Sequence, residues 1–349
     1  MMNVNETLIK YFEDKTDSII IDGNNNKKIL EFLNAKIPEK YNLVEPLVKD
    51  LVKPHGKDQL YLHIAELYNV EKATMILTDR RRDHVIHALN TFLLGLYIND
   101  NFLVTKVHGF QWKLASLFHD IAYPLEISQE IIGSYLDKMR DIKNELDVES
   151  FNPVINLVPI NFEKLTHNKN AFEYIQKKID EWELDVNVRK RYADMISSNK
   201  ICHGMLSALT VLLLVDRMYE KKNPDRKKQT VINGDYIDWN QEDFENHIVS
   251  ACSAIFVHNL SKDAFKKIKK DKAPLPYLLK LCDELQTWQR PKNGLPNGDP
   301  PEKYSISIQS EKIIFKVKGE KDDADNISRK INCLNDDQKI IVKPCQCSS

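Results

Sequence analysis

The chain has 349 residues, 42% of them hydrophobic, enough for one large domain or two small ones around a sizeable core. Fifty basic residues balance 51 acidic ones, for a formal net charge of -1. No global field therefore draws the chain to nucleic acid or to an acidic membrane, although a local basic patch stays open. The start, Met1 to Thr7, lacks a basic stretch followed by an apolar run, so no signal peptide is expected. The longest apolar run, Ser207 to Val215, is too short for a bilayer. Six cysteines lie scattered through helical patterns and are expected as reduced thiols in a cytoplasmic protein.

Residues 1–78 read as an N-terminal helical segment packed on the core. Leu8 to Asp14 and Lys27 to Ala35 are expected helices, Asn24–Asn26 a turn, and Pro38 and Pro54 stops. Ser18 to Asp22 reads as a short strand or a buried lead-in. Asp58 to Tyr68 has Leu60, Ile64 and Leu67 on one helical face. His55 and His63 are expected at the surface or in packing.

The stretch from Asp79 to Tyr97 begins polar, with Arg80–Arg82, and becomes apolar on nearly every face, so its helix should be central. His84 and His87 stand three apart near its start; taken alone, each is more often a hydrogen-bonded core histidine than a ligand. A loop over 99–110 leads to an apolar helix that ends on adjacent His119 and Asp120. Two polar groups buried together must both find partners, and a metal ion that takes an imidazole and a carboxylate satisfies them.

Residues 125–200 form a more polar, helical insert, with Ser128 to Val148, Asn170 to Trp182 and Val188 to Ile196 as its helices. Its plain reading is a solvated outer layer; a lid or partner surface is the alternative. The third apolar helix starts at His203, with Ser197, Ser198 or Asn199 as candidate caps, and Gly204 leaves room for a close neighbour. Residues 221–240 read as a polar loop. A fourth helix runs from Asp243 to His258. A fifth, Leu275 to Trp288, carries Asp283, which needs explaining only if it faces inward. Arg290 to Pro301 is a turn-rich loop. Beyond it, Tyr304–Gln309 and Lys312–Val317 alternate as a hairpin, Ala324 to Leu334 reads as helix and Lys339 to Lys343 as a third strand. Residues 302–344 are thus a small α+β appendage, and Cys345-Gln-Cys347 a free tail. The phosphate-loop, Cys-x-x-Cys, His-Glu-x-x-His and nucleophile-elbow motifs are absent from the sequence.

Four apolar helices therefore each carry a histidine at an end or inner face: His84 or His87, His119 beside Asp120, His203 and His258. Asp283 stands on a fifth. Nitrogen and oxygen donors without thiolate favour Mn, Fe, Co, Ni or Mg over structural zinc, as one or two divalent ions.

The order His87, His119-Asp120, His203, His258, Asp283 resembles the HD-domain superfamily of metal-dependent phosphohydrolases, over roughly residues 79–291. The resemblance implies a mainly all-α protein with an HD-type helical core, an enzyme that hydrolyses a phosphate ester, of a nucleotide-like substrate, by metal-activated water. It assigns His87, His119, Asp120 and Asp283 to the principal metal. His203 and His258 complete a second site or protonate the leaving group, and Asp120 bridges two ions or orients the water. Arg81, Arg82 and His84 steady the phosphate. Many members have Gly-Lys two residues beyond the His-Asp pair; Ala122-Tyr123-Pro124 stands here, which argues against the cyclic-dinucleotide branch. A second expectation is a catalytically silent HD-fold sensor or interaction protein that binds metal or nucleotide without turnover. A nucleic-acid partner and a homo-oligomer stay open, and no membrane partner is expected.

Overall fold

Helices carry the architecture, and their caps decide where they begin. The computed structural model describes residues 2–15, 23–53, 84–133, 162–198, 200–228, 239–260, 268–290, 298–319, 321–334 and 338–345, with residues 56, 58–59 and 61–62. Ser18 to Asp22, His55, His63, Arg80 to Arg82, Asn199 and most of the expected helix at 58–68 lie outside them.

α1 (Val4–Asp14) opens on a capping box between Asn3 and Glu6. α2 (Gly23–Asn34) takes in Asn24–Asn26, which the sequence places in a turn. The reason is Asn26: its amide donates to the carbonyls of Phe12 (2.8 Å) and Lys15 (2.9 Å). It satisfies acceptors left open at the end of α1 instead of breaking the chain. α3 (Ile37–Val52) has Pro38 in its first turn, where no N–H is needed, so this proline starts a helix where a stop was expected.

α4 (His84–Asn101) is buried along almost its whole length, and α5 (Gly109–Phe118) packs against it. The intervening loop is shorter than expected because α4 continues through Asn99, whose side chain accepts from Val107 N (2.9 Å) and donates to Val107 O (3.2 Å). Trp112 Nε1 donates to Phe92 O at 3.0 Å and pins α5 on α4. After a turn at residues 119–122 the chain resumes as α6 (residues 123–133). α7 (Ala171–Glu181) and α8 (Val188–Ser197) come next, each capped by an asparagine.

α9 (His203–Lys222) begins at Cys202, so none of the expected serine caps serves it; Ser198 instead ends α8. The carboxylate of Glu126, on α6, accepts the His203 N–H at 3.0 Å and caps α9 from a neighbouring element. The single helix expected over 243–258 is broken in kind: a short turn, Gln241–Asp243, then a π-helical segment, Phe244–Val249, then α10 (Ser250–His258). Each π turn holds an extra residue, which rotates the face presented by everything after it. α10 is buried at every position and touches α5, α7, α9 and α11. Lys280 of α11 donates to the last carbonyl of α10, His258 O, at 2.9 Å. α11 (Pro274–Leu285) ends three residues before the expected Trp288, because the chain leaves helical dihedrals at Gln286 (φ -78°, ψ 85°).

β1 (Tyr304–Gln309) and β2 (Lys312–Lys318) pair antiparallel across Ser310 and Glu311, both in the left-handed region at φ 48° and 59°. α12 (Lys321–Ile331) then carries the chain to β3 (Ile340–Cys345), parallel to β2. Cys345 therefore closes a strand and is not part of a free tail. The fold is mainly helical with a small three-stranded sheet at its C-terminal end. Among the described residues no helix is long and apolar enough to cross a membrane.

Candidate metal centre

The ends of the central helices converge. His84 and His87 come from the start of α4, His119 and Asp120 from the turn after α5, His203 from the first residue of α9, His258 from the last of α10, and Asp283 from α11. Asp283 faces inward: its Oδ1 lies 3.0 Å from His87 Nε2. His87 Nε2 and His119 Nε2 are 3.3 Å apart, and His119 Nε2 lies 3.4 Å from Asp120 Oδ2. Metal–donor bonds of about 2.1 Å put neighbouring donors roughly 3.0–3.4 Å apart, so these spacings are those of one coordination sphere.

Asp120 divides its two oxygens. Oδ2 faces His87 and His84, each at 3.7 Å, and His119. Oδ1 faces His203 Nε2 at 3.2 Å and His258 Nε2 at 3.5 Å. Two groups result that could each hold an ion, His87-His119-Asp120-Asp283 and Asp120-His203-His258, sharing one carboxylate. The Ala122 N–H donates to Ser207 Oγ at 3.0 Å, which ties the turn bearing Asp120 to α9.

The far sides of the rings decide which nitrogen looks inward. His119 Nδ1 meets Ser116 O at 2.8 Å and His258 Nδ1 meets Ile255 O at 2.6 Å. A carbonyl only accepts, so both Nδ1 atoms carry hydrogen. His203 Nδ1 likewise faces the Glu126 carboxylate at 2.7 Å. For His87 the partner is Gln286 Oε1. The Gln286 amide nitrogen donates to Trp288 O at 2.6 Å, which leaves Oε1 for His87. All four rings thus turn Nε2 toward a largely buried space that holds two carboxylates, where a proton or a metal ion on Nε2 meets their charge, and the outer hydrogen bonds are those that orient metal-ligating histidines. His258 Nε2 has no hydrogen-bond partner of its own.

Electrostatics obey the same geometry. Burial opposes ionisation of Asp120 and Asp283, but the surrounding histidines overcome it and hold both carboxylates well below their ordinary values. Burial, with help from Arg290, lowers His87 to about 3, and burial lowers His258. Burial also disfavours charge on His203, yet its hydrogen bonds to Asp120 and Glu126 raise it to about 10.

Of the residues expected from sequence, His87, His119, Asp120, His203, His258 and Asp283 come together, and His84 stands beside them with its ring centroid 3.7 Å from that of Tyr123, the rings tilted by 37°. Arg81 and Arg82 lie outside the described residues. Sequence reasoning missed Glu126, Tyr123, Gln286 and Arg290. Gln286 alone had a signal, three residues after Asp283 and so on its helical face. Compared with known proteins, the chain matches no family model, no curated protein and no solved structure.

Proposed function

We propose that this chain is a metal-dependent phosphohydrolase of HD type that cleaves a phosphate ester with a metal-activated water. The observation that carries the reading is Asp120, which offers one oxygen to each of two donor groups inside a ring of inward Nε2 atoms. Divalent ions held there polarise a phosphoryl group and lower the pKa of bound water towards neutrality. His87, His119, Asp283 and Asp120 Oδ2 form the first group. His203, His258 and Asp120 Oδ1 form the second. His203, with Glu126 behind Nδ1, either takes an ion of the second group on Nε2 or, with that group empty, hands a proton from Nε2 to a leaving oxygen. His84, 3.7 Å from Asp120 Oδ2 and beside the Tyr123 ring, steadies the substrate. The nucleotide class of the substrate rests on the resemblance of the histidine and aspartate order to HD-domain enzymes.

The test is a screen of phosphomonoesters and phosphodiesters, nucleotides included, with Mn- or Fe-loaded protein. Turnover should appear in the native sequence and fall by about 10²–10⁴-fold in His203→Ala. A fully loaded protein silent on every ester would overturn the hydrolase reading and leave a metal-binding protein without turnover.

A further inference from the structure

Arg290 reaches the centre from the segment after α11. Its Nη2 lies 4.0 Å from Asp120 Oδ2 and its Nη1 3.9 Å from Asp283 Oδ1, too far for a hydrogen bond to either. Among the described residues Nη1 makes one long bond, 3.5 Å to Gln286 O, and buried Nε makes none. A guanidinium offers five donors in a planar fork; 21% of this side chain is exposed, and it is the buried, unmet Nε that is costly.

The backbone is built to put it there. Trp288, fully buried, forms a bridge with Asp299, and Gln289, left-handed at φ 57°, donates its N–H to Asp299 O at 2.7 Å. Gly298 crosses directly over Arg290: a Cβ there would lie 1.9 Å from Arg290 O, so only glycine lets the two strands of chain pass.

We propose that Arg290 is the oxyanion clamp of this centre, and that its ligand is a phosphoryl group. The proposal rests on the phosphohydrolase reading above and adds the residue that holds the phosphoryl oxygens. Ions held by the two donor groups would take up the Asp120 and Asp283 carboxylates and leave the fork without an anion. A tetrahedral phosphoryl group has oxygens enough to meet the ions and still present an acceptor pair to the fork. A carboxylate spent on two ions has none left.

The experiment uses the full chain loaded with Mn, as native sequence, Arg290→Lys and Arg290→Gln. Metal content is measured by elemental analysis, and inorganic phosphate and acetate are titrated calorimetrically. Equal metal in all three, phosphate weakened about tenfold or more in Arg290→Gln and less in Arg290→Lys, and acetate indifferent to the substitution, are the expected results. Phosphate bound equally well by Arg290→Gln, or acetate weakened as much as phosphate, would overturn the clamp while leaving the metal centre intact. Metal lost from both variants would make Arg290 a support for Asp120 and Asp283 and also overturn it. A native protein that takes up no metal would instead bring down the centre, and the clamp with it.

Discussion

Replacing Gly204 by alanine drives a methyl carbon into His258. The added Cβ would stand 2.9 Å from His258 Cε1, 3.1 Å from His258 Nδ1 and 3.1 Å from Asn259 Cβ. Ordinary contacts begin near 3.5 Å, so the ring must retreat by roughly half an ångström or the two helix ends must part. The ring has little slack: its Nδ1 is held by Ile255 O at 2.6 Å, and its Nε2 faces Asp120 Oδ1 at 3.5 Å. Overpacking of this kind costs about 1–3 kcal/mol in stability. Moving His258 also weakens the second donor group, by about 10–100-fold in affinity, while the first group keeps its ligands. The assay is a double-mutant cycle by denaturant unfolding of metal-free Gly204→Ala, His258→Ala and the double variant, beside a metal titration of Gly204→Ala. Removing the ring removes two of the three clashes, so Gly204→Ala should cost at least about 1 kcal/mol less in the His258→Ala background. Strict additivity, with both metal sites of Gly204→Ala unchanged, would refute the packing argument.

The same geometry fixes other outcomes. Glu126→Gln removes the carboxylate behind His203 Nδ1 and should weaken the second site about 10–100-fold in a metal titration while sparing the first. Asp216 accepts from Thr166 N at 2.8 Å and Thr166 Oγ1 at 2.9 Å and pairs with buried Arg226. Asp216→Ala strands that guanidinium and should cost about 3–5 kcal/mol in urea unfolding. Lys40 is fully buried, 4.2 Å from the Phe32 ring, with no hydrogen-bond partner for Nζ, and burial lowers it from 10.5 to about 8. The unfolded chain thus binds the proton more tightly, and the penalty on the folded state is full below pH 8 and gone above about 10.5. Lys40→Met should therefore stabilise the protein at pH 7, by at most about 3 kcal/mol, and lose that advantage as pH rises through this window in unfolding curves. An advantage that is flat with pH would contradict the burial argument.

The candidate ligands were legible because most of them interrupt strong patterns. A histidine inside an apolar helix such as α10, or a His-Asp pair ending α5, is improbable as packing, whereas Asp283 called for an explanation only if it faced inward. Glu126 and Arg290 come from polar stretches, where a solvated side chain is the default, so nothing marked them, and Gln286 had only its spacing from Asp283. Arg290 moreover depends on a left-handed Gln289 and a crossing at Gly298, which are tertiary facts. Helix ends failed in the same manner: Asn24–Asn26 has turn composition, but Asn26 finds its acceptors on α1, and α9 takes its cap from Glu126 on α6. The π segment before α10 has no compositional signature. The division of Asp120 between two groups is a matter of rotamer and approach, beyond any spacing rule.

Metal stoichiometry tests the shared carboxylate most directly. The protein would be purified without chelator, reconstituted with Mn or Fe, and measured by elemental analysis beside Asp283→Ala, His258→Ala and Asp120→Ala. The account predicts two equivalents in the native sequence, one in each of the first two variants, and loss of both in Asp120→Ala. No metal in the reconstituted native protein, or two equivalents retained without Asp120, would contradict it.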